Sequence, residues 1–182
     1  VDKRDKTKYK LANAIKQLME TQSLDKITVK DIVSECDMTR QTFYRYFQDK
    51  YDLVNWYFER LVQKSFKQMG VSCSLREGLH KKFRFIEEEC IFFSGAFQSN
   101  DYNSLMNYDY DCIFKFYEEI ITSKTNKPLE EDLAFLLRMY CRGSIYMTVE
   151  WVNKKDRPAP EEITNLLIEA LPDRLANLLS DI

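Results

Sequence analysis

Apolar residues recur at three- and four-residue steps along nearly the whole chain, the period of amphipathic helices rather than the alternation of strands. The first stripe, Leu11, Ile15, Leu18 and Met19, predicts a helix over about residues 7–21 whose other face is rich in lysine. After the short loop Ser23–Ile27, Thr28 with Asp31 three residues on has the spacing of a capping box. It opens a helix of about two turns that carries Val29, Ile32, Val33 and Cys36 inward. Asp37 then stands where a glycine more commonly adopts the left-handed turn, and Thr39 caps a third helix, Arg40–Phe47. Phe43 and Phe47 are four apart and share its inner face, while Gln41 and Arg45 fall opposite, flanked by Thr42 and Tyr44. Two short helices about a tight turn make a helix-turn-helix.

Asp49 caps a connector helix running from about residue 50 to 69, with Leu53, Val54, Tyr57, Phe58, Leu61 and Val62 as its apolar positions. Gly70–Ser74 breaks the pattern. Ser74 and Glu77 repeat the capping-box spacing and open a helix through Glu89. A short apolar helix with a loop follows over Cys90–Asn100, then a helix over Leu105–Lys124 and a long one from Pro128 to Asn153. The apolar residues of that long helix cover more than one stripe, so it must be buried on two sides. Pro160 starts the last helical stretch, with Glu161 and Glu162 in its first turn, and Pro172 either kinks it or begins another helix. With only four glycines and four prolines to interrupt them, these helices define an all-α fold. Residues 1–50 read as the helix-turn-helix domain, and residues 51–182 as a helical bundle.

Charge sharpens this division. The net charge is −2, yet residues 1–50 carry an excess of three positive charges and residues 51–182 an excess of five negative ones. A basic head on an acidic body suits a DNA-binding end joined to something else. Arg40, Gln41, Thr42, Tyr44 and Arg45 supply the hydrogen-bonding side chains that a helix needs to read base edges and grip phosphates in a major groove.

Other chemistry finds little footing. His80 is the single histidine, the five cysteines are dispersed without a CxxC pair, and no glycine-rich phosphate loop or nucleophile–base pair is present. No enzyme, metal site or cofactor is expected, and the thiols are expected to be reduced. Glu87–Glu89 and Glu130–Asp132 fan around their helices and read as solvated faces. The chain has no run of eighteen apolar residues, and an amphipathic segment follows its basic first residues, so a cytoplasmic protein without a membrane span is expected. Twenty of the 25 aromatics follow residue 50, mostly as core, with some available to line a ligand cavity.

The stretch Ile27-Thr28-Val29-Lys30-Asp31-Ile32 through Thr39, then Thr42-Phe43-Tyr44-Arg45-Tyr46-Phe47-Gln48-Asp49-Lys50 and Leu53, resembles the N-terminal domain of the TetR family of transcriptional regulators. The likeness covers about residues 7–60. It implies that Arg40, Gln41 and Thr42 read bases, and that Tyr44 and Tyr46, together with Arg45, contact phosphates. Thr28 and Lys50 match phosphate-contacting helix starts, a role that free N–H groups and the helix dipole also favour. Asp37 departs from the glycine common in the family and places an acidic group near DNA. The body of the chain resembles the subgroup that includes regulators of dihydroxyacetone kinase operons.

The resemblance also implies a homodimer through about residues 128–153 and 160–180, bound to a double-stranded operator. A small effector or a protein coactivator would control it, as repressor or activator. The rival reading is a helical interaction module that has lost DNA binding.

Overall fold

The computed structural model describes residues 3–65, 74–101 and 103–179, and among these the chain is helical without a strand. Helix α1 spans Lys3–Met19, starting earlier than its apolar stripe suggested, and a single 3₁₀ turn at Leu24–Lys26 leads to α2, Val29–Glu35. Thr28 caps α2 with both halves of the predicted box in place. Asp37 takes the expected left-handed conformation, φ 53°, and Thr39 accepts from the Thr42 N–H to start α3.

Helix α3 is shorter than its sequence pattern predicts. It spans only Arg40–Tyr44, because the chain tightens at once: the Tyr46 and Phe47 N–H groups both return to the Phe43 carbonyl. Phe47 still lies inside, 3% exposed, with Phe43 fully buried beside it. The turn therefore keeps the aromatic pair without needing the extra helical residues.

Helix α4, Lys50–Ser65, begins at Asp49, whose side chain accepts from the Asp52 N–H. The remaining helices are α5 (Leu75–Glu88), α6 (Cys90–Phe97), α7 (Leu105–Thr125), α8 (Glu131–Asn153), α9 (Pro160–Glu169) and α10 (Asp173–Leu179). The Ser74–Glu77 box closes in both directions at the start of α5. Asn126 at φ 51° ends α7, as an asparagine can where the chain must leave a helix left-handed. Helix α8 starts at Glu131 rather than Pro128, since Glu130 is extended and serves as its N-cap. Pro172 separates α9 from α10, so the open choice between a kink and a new helix resolves to a new helix. The predicted break at Gly70–Ser74 and the far end of the connector lie outside the described residues, apart from Ser74 itself.

Two compact units emerge. The first comprises residues 1–61 and 89–107, so most of α4 and all of α6 join the three N-terminal helices; the second comprises residues 62–88 and 108–182. In the first unit α1 packs on α2 and α6. Gly95 of α6 lies against Met19, whose flexible Cε end, 2.7 Å from where a Cβ would stand, would have to shift to admit a side chain there.

In the second unit α5 packs on α9, and α8 on α10. Tyr140 on α8 donates to the Leu167 carbonyl of α9 (3.0 Å), and the Trp151 indole donates to the Pro158 carbonyl (2.7 Å). Helix α8 buries Leu137, Cys141, Ile145 and Trp151 along one side. Its other side carries Phe135, Met139 and Tyr146, exposed at 58%, 62% and 58%, with Leu166 of α9 at 51%.

Candidate nucleic-acid interface

The recognition surface rests on an aromatic base. Phe43 and Phe47 lie with ring centroids 5.8 Å apart, Phe47 meets Trp56 of α4 at 5.6 Å, and Trp56 meets Tyr9 of α1 at 5.2 Å. The Lys8 ammonium sits over both Phe47 and Trp56, and the Arg60 guanidinium over Trp56. Burying the inner positions of a five-residue helix fixes where the outer ones point. Arg40, Gln41, Tyr44 and Arg45 are exposed, Tyr44 by 56% despite its aromatic ring, while Thr42 and Tyr46 are half-buried. Five of these six residues therefore stand on or beside one short helix; Tyr46 follows its end.

The two helix starts differ from what residue type alone suggests. At α2 the Thr28 hydroxyl and N–H both go to Asp31 Oδ2, at 2.7 and 2.9 Å, and these bonds hold the Asp31 carboxyl below its usual range. The donors of Thr28 itself are thus used inside the cap.

At α4, Lys50 turns inward. Its Nζ donates to the carbonyls of Leu24, Asp25 and Ile27 at 2.7, 2.8 and 2.8 Å, all of them in or beside the 3₁₀ turn. An ammonium has three donors, and all three are accounted for. What Lys50 can offer a phosphate is the backbone N–H of a helix start, not its charge at close range. Burial pulls its pKa down, against the opposing pull of Asp25, Asp101 and Asp49.

Two further groups anchor this unit and carry no local sequence signal. Asp25 accepts from Ser99 and from the Tyr51 hydroxyl, which ties the 3₁₀ turn to the loop after α6 and lowers the Asp25 carboxyl. Glu89, expected to lie on a solvated face, instead forms a triangle with α1 and α4. Lys16 Nζ lies 2.5 Å from Glu89 Oε2, Lys16 donates to the Tyr57 hydroxyl at 3.2 Å, and that hydroxyl donates to Glu89 Oε1 at 3.2 Å. Burial alone would depress the Lys16 ammonium, but the bonds to Glu89 and Tyr57 raise it overall. Glu87 and Glu88 do face solvent.

Among the described residues no group of acidic, histidine or cysteine side chains is placed to hold a metal ion, and no helix is long and apolar enough to cross a membrane.

A short exposed helix on a buried aromatic base, preceded by a capped helix and a left-handed turn, is the geometry of a DNA-reading helix-turn-helix. Residues 11–55 match the family model described as bacterial regulatory proteins, tetR family, and residues 74–173 match that of a transcriptional regulator C-terminal region. The chain belongs to the TetR family. Its two matched regions are those of a bacterial transcriptional regulator.

The chain is 31% identical over 87 residues to the HTH-type dhaKLM operon transcriptional activator DhaS of Lactococcus lactis subsp. lactis (strain IL1403), a match covering 48% of this chain and 46% of that protein. It therefore spans about half the length of the curated relative it matches. Among solved structures it is similar to a dihydroxyacetone kinase operon activator DhaS, with a TM-score of 0.66 and 20% identity, covering 94% of this chain and 97% of that one. A TetR transcriptional regulator from Streptococcus agalactiae 2603V gives a TM-score of 0.69 at 22% identity, covering 92% and 94%. At these identities the likeness in structure speaks for the fold of the TetR regulators.

Proposed function

We propose that this TetR regulator binds a pseudo-palindromic operator as a homodimer, setting two α3 helices in successive major grooves about 34–36 Å apart. Arg40, Gln41 and Thr42 read base edges. Tyr44, Arg45 and Tyr46 contact phosphates, and the first turn of the helix that Thr28 caps, together with the helix start at Lys50, adds backbone N–H groups. The observation that carries this reading is the exposure of Arg40, Gln41, Tyr44 and Arg45 on a helix whose inner positions are locked into the aromatic base.

The α8–α9 face supports the homodimer. Phe135, Met139, Tyr146 and Leu166 form an exposed apolar row, and a Cβ added at Gly143 in the middle of α8 would meet nothing within 4 Å. A helix-interior glycine costs about 1 kcal/mol relative to alanine, so one with no neighbour of its own suits the close approach of a second copy. The second unit receives a small effector or a protein coactivator. The Lactococcus lactis relative is a transcriptional activator, which favours activation over repression as the sign of control.

Binding to DNA from the promoter beside the chain's own gene, measured by fluorescence anisotropy at two salt concentrations, tests this. Tyr44→Ala weakens binding to every sequence alike, while Arg40→Ala costs roughly 1–3 kcal/mol of discrimination at the base it reads. Arg45→Ala lowers the salt slope by about 1. Absence of specific binding, with none of the three substitutions having an effect, would instead favour an interaction module that has lost its DNA.

A further inference from the structure

Asp109 lies in the interior of the second unit, 1% exposed, on α7. Lys82 of α5, 7% exposed, faces it with Nζ 3.7 Å from Oδ2, which is beyond hydrogen-bond reach. Among the described residues neither Asp109 oxygen accepts a hydrogen bond. Burial pushes the carboxyl up despite the neighbouring cation. Around the pair stand the buried Tyr117 and Cys141, both driven up mainly by burial and both feeling the Asp109 charge. The nearby Tyr140 hydroxyl is already committed to Leu167. A buried acceptor left without a donor is rare in a folded protein and points to a use. An ion pair kept only for stability would be better replaced by apolar side chains.

We propose that Lys82 and Asp109 are the polar anchor of a ligand site inside the second unit, built for a small uncharged molecule that carries hydroxyl groups. The proposal deepens the regulator reading, on which it rests, by naming what the second unit senses. The pair is neutral overall, so a neutral guest leaves no net charge in the apolar interior. A hydroxyl donates to the open oxygens of Asp109 and accepts from the Lys82 ammonium, gaining two charge-assisted bonds. A carboxylate guest would suit Lys82 but face Asp109, and an amine would do the reverse. Each brings a like-charge contact into a low-dielectric site. Seating the neutral guest between the two side chains moves α5 relative to α7, which gives the unit two states to choose between.

The test is thermal unfolding of the full chain with glycerol or erythritol, and with ethanolamine and glycolate as the cationic and anionic arms. The double variant Lys82→Met/Asp109→Leu reports the general stabilisation that polyols give any protein. Wild type should gain about 2–4 °C in Tm beyond the double variant with the neutral probes, and nothing extra with the charged ones. An equal shift in wild type and variant, or a larger one with either charged probe, overturns the site. Asp109→Asn, which keeps the volume, serves if the double variant does not fold, and it should lose most of the extra shift. Operator binding is measured on the same samples without probe. Its absence in a wild type that still shows the extra shift sinks the regulator reading alone, whereas intact operator binding without the shift sinks the ligand site alone.

Discussion

Lys50 in the first unit gives its ammonium to three backbone carbonyls, whereas Lys82 in the second stands 3.7 Å from a carboxylate that accepts no hydrogen bond. The contrast is one of acceptors, the three carbonyls answered and the Asp109 oxygens not, and it extends further. Near the helix-turn-helix the caps at Thr28, Thr39 and Asp49 are closed, and Lys16, Tyr57 and Glu89 satisfy one another; Asn55 Oδ1 is a buried exception. In the second unit Asp109 is unanswered and α8 turns apolar side chains to solvent. A reading head must hold a few side chains in one register, which closed polar networks do well. In the proposed regulator the second unit takes a guest or a second copy, and an acceptor left open, as at Asp109, is where either can add free energy.

The largest expected effect comes from opening the closed side. Lys50→Met keeps the stem but strips the donors from three carbonyls, and should cost about 3 kcal/mol in urea unfolding. A loss below about 1 kcal/mol would mean the clamp matters little, and the contrast between the units would fail. Next is Gly143→Arg, which fills the open face of α8. It should give a monomer in sedimentation velocity and lower operator affinity by roughly 10- to 100-fold, while the fold itself gains helix propensity of roughly 0.5–1 kcal/mol. An unchanged dimer would remove α8 from the interface.

Closing the open side should have a smaller effect. Lys82→Met/Asp109→Leu is expected to stabilise by about 1–3 kcal/mol at neutral pH, since apolar pairs often outperform buried ionic ones. The sign with pH follows from Asp109, whose folded pKa is raised above its ordinary 3.8. Its contribution is fully present below the unfolded value and is lost as pH rises through the folded one. Wild type should therefore fall progressively behind the double variant as pH rises above about 4, read as Tm against pH. The smallest effect is Asp37→Gly, which relieves a left-handed aspartate at φ 53° and should add about 1 kcal/mol in the denaturation midpoint. It should also tighten DNA binding slightly by removing an exposed negative charge.

What the sequence made legible was local. The Thr28–Asp31 and Ser74–Glu77 boxes, the left-handed Asp37 and the inward Phe43 and Phe47 all depend on residues within four positions of one another, and all are in place. The early end of α3 was hidden because Phe47 keeps its helical spacing even after the helix has closed. The inward turn of Lys50 was hidden for a different reason: its three carbonyls lie 23 to 26 residues away, and backbone acceptors leave no trace in side-chain pattern. Glu89 looked like one of three solvated acids, and only the packing of α1 and α4 distinguishes it from Glu87 and Glu88. Asp109 is one acid on a long helix, and nothing but tertiary burial sets it apart.

The brevity of α3 limits how much information the protein can draw from its operator. Five helical residues present three base-reading side chains per subunit in the proposed complex. Three base pairs read in each of two half-sites single out roughly one site in 4,000, against the roughly million or more competing positions a genome offers. Base contacts alone would leave this regulator scattered over hundreds of addresses. The missing selectivity must be written into the spacing of the half-sites and the deformability of the DNA between them, so base pairs at the operator centre that no side chain touches should constrain its sequence as well.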